Sequence, residues 1–130
     1  QIPLAAGENV FSEDQFFHII SEGYIHIVQP DLAKWGGLTK TIPIAKAVVA
    51  KKKSYCPHFL GGGIGLLASA HALAAVGGDG MLEVDCNPNP LRTFLVSDFF
   101  KTSTSSMILG NEPGIGVEPD LLPIAEYRIK

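Results

Sequence analysis

Short apolar runs alternate with helical patterns along most of this chain. The first run, Ile2 to Ala6, breaks at Gly7-Glu8-Asn9. Ser12-Glu13-Asp14-Gln15 then has the form of a capping box, a hydroxyl followed three residues on by a side chain able to reach back to it. Phe16, Phe17, Ile19 and Ile20 supply the apolar face of a short helix, and Gly23 stops it. Tyr24 to Val28 is rich in strand formers and ends at Gln29-Pro30-Asp31. A loop, Trp35-Gly36-Gly37, leads to a second helix. Thr39 or Thr41 is its expected cap, Pro43 falls in its first turn, and Ile44, Ala45, Val48 and Val49 face inward. Lys51, Lys52 and Lys53 close it, where cations suit the negative end of the helix dipole. Tyr55-Cys56-Pro57 is a third short run and ends at His58. Gly61-Gly62-Gly63 precedes an Ala- and Leu-rich helix from Ile64 to Val76. After the turn Gly77-Gly78-Asp79-Gly80, Met81 to Val84 reads as the last buried run. From Asn87 onward the pattern dissolves into Pro, Ser and Thr.

The spacing of polar residues against this pattern carries the first functional information. Glu8, Asp31, His58 and Glu83 each lie at or near the C-terminal end of an apolar run, separated by 23, 27 and 25 residues. A strand–helix unit of an eight-fold barrel takes about 30 residues, from about 250 in all. Parallel strands need crossovers of this kind, and in such barrels the groups at the C-terminal strand ends converge on one mouth. The spacing therefore predicts an α/β fold, about half of a TIM-type (β/α) barrel with parallel strands and alternating helices over residues 1–100. A differently patterned tail occupies 101–130.

Composition narrows the class. The 130 residues are 46% hydrophobic and 18% charged, enough for a sizeable core. The net charge of −3 leaves no electrostatic footprint for nucleic acid or an anionic membrane. No segment approaches the roughly 18 apolar residues of a membrane span. Cys56 and Cys86 form no CxxC pair and lack a basic cluster to activate them. They read as small buried thiols in a reduced, intracellular, cytoplasmic setting. The chain opens inside an apolar phrase, Gln1-Ile2-Pro3-Leu4, without an initiator Met, which predicts a fragment of a longer protein.

Each candidate residue has a plain reading beside a chemical one. Glu8, at a strand end, is a carboxylate suited to Mg²⁺, which takes one or two carboxylates plus waters and substrate oxygens; alternatively it complements a helix N-terminus. Asp31 and His58 come from adjacent strands. A carboxylate beside an imidazole fixes its tautomer and makes a general base near neutral pH. Their plainer readings are a turn after Pro30 and a buried, hydrogen-bonded histidine. Glu83, between Leu82 and Val84, would stay protonated in an apolar setting and donate a hydrogen bond, or would pair with Arg92 or a lysine. His18, His26 and His71 fall within helices and a strand, where structural or surface roles suffice.

Gly63-Ile64-Gly65-Leu66-Leu67-Ala68 matches GxGxxA, with Glu83 twenty residues beyond Gly63. That is the form of a dinucleotide fingerprint and opens the alternative of a nicotinamide-dependent oxidoreductase. Six residues, Pro57 to Gly62, separate the strand from the first glycine where a tight turn is required, and no Lys-Ser/Thr follows to make a phosphate loop. An open helix N-terminus near the site, suited to an anionic substrate, is the simpler role for residues 63–68.

Taken together, Gly7-Glu8-Asn9, Gln29-Pro30-Asp31-Leu32-Ala33-Lys34-Trp35-Gly36-Gly37, Pro57-His58, Leu82-Glu83 and the tail Pro113-Gly114-Ile115-Gly116-Val117-Glu118 resemble the C-terminal part of the mandelate racemase/muconate lactonizing enzyme family of the enolase superfamily. The pairing of Asp31 with His58, in place of a catalytic lysine, resembles the mandelate racemase-like branch. The resemblance implies a modified barrel with a separate capping domain, against which the tail 101–130 packs. It implies Mg²⁺ and abstraction of the proton α to a carboxylate through an enediolate, as in racemases and hydroxy-acid or sugar-acid dehydratases. By position Glu8 is then a metal ligand, Asp31 and His58 the acid–base dyad, and Glu83 the acid that meets the substrate carboxylate. Lys34 takes a packing or supporting role. Asp85 to Arg92 departs from mandelate racemase, with Arg92, Asn87 and Asn89 as candidate contacts to polar substrate groups. Two further metal carboxylates and a Lys-x-Lys base belong, in that family, on earlier strands. The resemblance also favours a homo-oligomer. Alone, the 130 residues are expected either to be inactive and bind Mg²⁺ weakly or to self-associate and so cover exposed sheet edges. A non-catalytic barrel remnant is the remaining alternative.

Overall fold

A computed structural model describes residues 2–96 and 106–129. Three strands, β1 (Leu4–Ala6), β2 (Ile25–Val28) and β3 (Ser54–Tyr55), pair in parallel in the order β1-β2-β3. Helices α1 (Glu13–Ser21) and α2 (Gly37–Ala50) make the crossovers, and α3 (Gly63–Val76) follows β3. A four-residue α4 (Pro90–Thr93) and a 3-10 turn (Leu122–Tyr127) complete the elements. Strands added in one direction by right-handed crossovers carry their helices on a single face. The core agrees, since Phe16 and Ile20 of α1, Ile44, Ala45 and Val48 of α2, and Val28 and Tyr55 of the sheet form one buried cluster. The Phe16 and Trp35 rings meet tilted, with centroids 5.0 Å apart. Tyr55 is buried with no hydrogen-bond partner for its hydroxyl among the described residues. That burial, and next the neighbouring Cys56, pushes its phenol well above the usual tyrosine range.

Several local expectations are corrected. Ser12 caps α1 as expected, its Oγ accepting from Gln15 N at 3.3 Å. Phe17, however, is exposed. At 100° per residue it lies a quarter-turn off the face shared by Phe16 and Ile20. Neither Thr39 nor Thr41 caps α2. The helix starts from Gly36 in the left-handed conformation, Pro43 lies inside it, and Thr41 is buried with Oγ1 toward Trp35 O. Lys53 serves α1, not α2. Its Nζ donates to the carbonyls of Ile19 (3.4 Å) and Glu22, at the end of that helix where carbonyls lack helical partners, and to that of Ile25 (2.6 Å) at the start of β2.

Met81 to Val84 is not a strand. Met81 and Val84 are exposed, and the segment runs beside β3 with Met81 N directed at Cys56 Sγ, 3.3 Å away. Leu82 is half-buried, and the segment makes no strand pairing among the described residues. Cys56 is buried as expected, but Cys86 is exposed. Among the described residues no helix is long and apolar enough to cross a membrane. Of the tail, residues 101–105 and 130 lie outside the described residues, as does the expected boundary at 100.

Candidate active site at the strand ends

The register sets Ala6, Val28 and Tyr55 in one row, with Ala6 opposite Val28 and Val28 opposite Tyr55. Gln29 N donates to Ala6 O at 2.8 Å and Cys56 N to Val28 O at 3.1 Å, extending the ladder one step. His58 N donates to Pro30 O at 3.3 Å and carries the β2–β3 ladder past Pro30 and Pro57, both fully buried and without an N–H of their own. The residues that follow, Asp31 and His58, turn out of the sheet at the same level. Glu8 arrives beside them because Gly7 lets β1 turn. Its φ is +139°, and a Cβ at Gly7 would lie 2.7 Å from Gln29 N.

These three predicted residues meet. His58 Nδ1 is 3.0 Å from Asp31 Oδ2, and His58 Nε2 is 2.7 Å from Glu8 Oε2. Asp31 and His58 are buried, while the Glu8 side chain is 49% exposed. The imidazole thus bridges an enclosed carboxylate and an open one. Asp31 divides its oxygens. Oδ2 faces the ring, and Oδ1 accepts from Ala33 N at 2.8 Å and Lys34 N at 3.2 Å. The turn and the dyad, alternatives in the sequence, coexist in one side chain. With its proton on Nδ1 against Asp31, a neutral ring presents the Nε2 lone pair toward the open side. The contact with Glu8 then requires a single proton between the two atoms.

Glu83 is half-buried, and Gln29 Nε2 reaches its Oε2 at 3.4 Å, so it too belongs to the strand-end surface. Arg92 is buried with its guanidinium toward Asp85 Oδ2 (3.4 Å) and the Asn87 carbonyl. Asn89 Nδ2 donates to Gly61 O at 3.3 Å, and Asn89 Oδ1 accepts from Arg92 N. Lys34, given a packing or supporting role from the sequence, donates from Nζ to the Glu8 backbone carbonyl at 3.2 Å. One supporting contact escapes the sequence reading. Gln29 is 54 residues from Glu83, and nothing local signals that they pair. The other histidines are peripheral: His18 is exposed beside Glu22, His26 Nδ1 accepts from Leu4 N, and His71 Nε2 contacts Ile115 O.

The donor set suits a hard cation in part. Glu8 offers carboxylate oxygens at the open rim, with Asn9 Nδ2 at 3.2 Å from Oε1, and one carboxylate is within what Mg²⁺ accepts from protein. Among the described residues no three His, Cys, Asp or Glu side chains are arranged to hold a metal. A pyrophosphate fits poorly at residues 63–68. A Cβ at Gly63 would lie 2.3 Å from Val96 Cγ2, and one at Gly65 would lie 2.2 Å from the Phe59 ring, so side chains already fill the space beside both glycines. The strands run in chain order with no reversal, so the crevice at which doubly wound sheets bind dinucleotides does not form among them.

Comparison with known proteins gives a consistent neighbourhood. The family model described as enolase C-terminal domain-like matches residues 1–122. A D-galactonate dehydratase of Xanthomonas axonopodis pv. citri is 35% identical over 125 residues, covering 92% of this chain and 33% of the relative. The crystal structure of a mandelate racemase/muconate lactonizing enzyme from Bordetella bronchiseptica RB50 superposes with a TM-score of 0.84 at 51% identity, over 92% of this chain and 34% of that one. The 3,6-anhydro-D-galactonate cycloisomerase of Zobellia galactanivorans superposes with a TM-score of 0.85 at 27% identity, over 100% of this chain and 37% of that one. The chain spans about a third of the length of these relatives.

Proposed function

The chain belongs to the enolase C-terminal domain-like family, and from that premise we propose that it works as the C-terminal part of a Mg²⁺-dependent sugar-acid or hydroxy-acid dehydratase, with His58 as the group that moves the proton. Its three parallel strands are an arc of a (β/α) barrel. The observation that carries the reading is the imidazole held between Asp31 at 3.0 Å and Glu8 at 2.7 Å. The identity to D-galactonate dehydratases supports the substrate class.

An α-proton of a carboxylate is too weakly acidic for a neutral imidazole acting alone. Negative charge must be met as it develops. Glu8 is the residue here that would hold Mg²⁺, and the bound ion supplies a Lewis acid for that charge. Asp31 fixes the ring and its tautomer, and Nε2, which here lies against Glu8 Oε2, takes the proton at the open side of the site with that carboxylate turned from the ring. Lys34, on the Glu8 carbonyl, holds the turn that carries the metal carboxylate. Glu83, steered by Gln29, meets the substrate carboxylate with a hydrogen bond that strengthens as charge builds there. The imidazolium then returns its proton to the departing β-hydroxyl.

The test is made in the whole enzyme that carries this sequence. His58→Asn is expected to abolish exchange of the substrate α-proton in D₂O from at least one face. Undiminished exchange overturns the role of His58. The cycloisomerase among the solved structures favours a second reading, in which the same abstraction leads to rearrangement instead of loss of water. Product analysis separates the two, because a dehydratase yields a 2-oxo acid.

A further inference from the structure

Glu83 sits on a segment that no ladder holds. Among the described residues Met81 to Val84 makes no strand pairing, and its link to β3 is Met81 N toward Cys56 Sγ. The bond from Gln29 to Glu83 is 3.4 Å, at the long end of hydrogen bonding. Two residues further on the ties multiply. Asp85 Oδ1 accepts from Asn87 N at 3.0 Å and from Asn87 Nδ2 at 2.7 Å, and Asp85 Oδ2 forms an ion pair with the Arg92 guanidinium at 3.4 Å, a length at which opposite charges still attract where neutral groups barely bond. The Asp85 and Arg92 side chains are only 14% and 10% exposed. Arg92 also takes the Asn87 carbonyl, so one guanidinium closes the loop from both sides. Behind it, Asn89 binds Gly61 O, and Gly63 packs against Arg92 O and Val96. The loop after Glu83 is thereby fastened to the loop after His58.

We propose that Arg92 is a positioning residue for Glu83, acting through Asp85, and that the Asp85–Arg92 clamp stands in for the missing strand hydrogen bonds in setting the distance of Glu83 from the His58 ring. This rests on the role given to Glu83 above. It replaces a contact between Arg92 and substrate, since the guanidinium is already engaged by Asp85 and the Asn87 carbonyl. A carboxyl that meets charge formed only in the transition state affects kcat when displaced, more than KM.

The experiment compares Glu83→Gln, Arg92→Met, Arg92→Lys, Asp85→Asn and the pairwise combinations in the whole enzyme, with kcat, KM and thermal midpoint measured for each. Arg92→Met and Asp85→Asn are each expected to lower kcat about 10- to 100-fold with KM within about twofold, as displacement of a positioned group does. Arg92→Lys recovers part of the loss, because an ammonium keeps the pair with Asp85 but not the second bond. Arg92→Met added to Glu83→Gln lowers kcat no further. If Arg92→Met raises KM instead, and its effect multiplies with that of Glu83→Gln, Arg92 touches substrate and the inference is overturned. If the Arg92 variants fail to fold, Asp85→Asn decides alone: full kcat there also overturns it. If Glu83→Gln itself retains full kcat, the parent assignment fails, a result distinct from both.

Discussion

At the residue scale, Asp31 offers the sharpest test. Asparagine there keeps an oxygen for Ala33 N and Lys34 N, so the turn survives. Its amide nitrogen then faces His58 Nδ1 and forces the ring proton onto Nε2, the atom that has to accept. Asp31→Asn is expected to lower kcat by about 10²- to 10⁴-fold, with an unchanged thermal midpoint. Full activity would remove Asp31 from the mechanism. These residues were legible in the sequence because glycine and proline mark where each strand ends: Gly7 before Glu8, Pro30 before Asp31, Pro57 before His58. The geometry that joins them was legible only as spacing. What the spacing could not show is that the Asp31 carboxylate serves turn and ring together, or that Lys34 reaches back 26 residues to the Glu8 carbonyl.

At the scale of elements, α1 ends on a borrowed cap. Lys53 Nζ satisfies carbonyls of Ile19, Glu22 and Ile25 from beyond α2. Lys53→Met leaves them without that donor and is expected to cost about 2 kcal/mol in urea unfolding, the scale of a charged hydrogen bond. A loss within error would show that water replaces the ammonium. The sequence placed the three lysines correctly at the end of α2, where Lys51 is the C-cap, but gave Lys53 to that helix when it serves α1, since proximity along the chain says nothing of what lies across a packed pair. The start of α2 was missed for a related reason: Gly36 in a left-handed conformation leaves no side-chain signal. Over the loop 85–92, the Asn87 backbone N–H first, and then the Asn87 side chain and Arg92, outweigh partial burial and hold the Asp85 carboxyl below the usual carboxylate range. A lowered native value stabilises above the ordinary pKa and is lost as pH falls through the native one. Amide exchange in this loop, corrected for intrinsic rates, is expected to quicken at acid pH while the amides of α2 stay protected. Equal protection at both pH values would show that the clamp does not depend on the Asp85 charge.

At the scale of the molecule, β1 and β3 each have a strand partner on one side only among the described residues, and Ile2, Leu4, Met81, Ile108 and Leu122 are exposed. The 130 residues on their own are expected to self-associate in sedimentation velocity and to show no turnover, whereas a monodisperse, active monomer would contradict the barrel-arc reading. The order of the sheet has one more consequence. Neighbouring strands stand about 4.8 Å apart whatever the length of the excursion between them. Growth or shrinkage of a helix on the outer wall therefore leaves Asp31, His58 and Glu8 at the same mutual distances. Deleting one residue between Val28 and Asp31 does the reverse, drawing a single group below the waterline while its companions stay afloat. Length is therefore free to change at the flank and fixed at the rim.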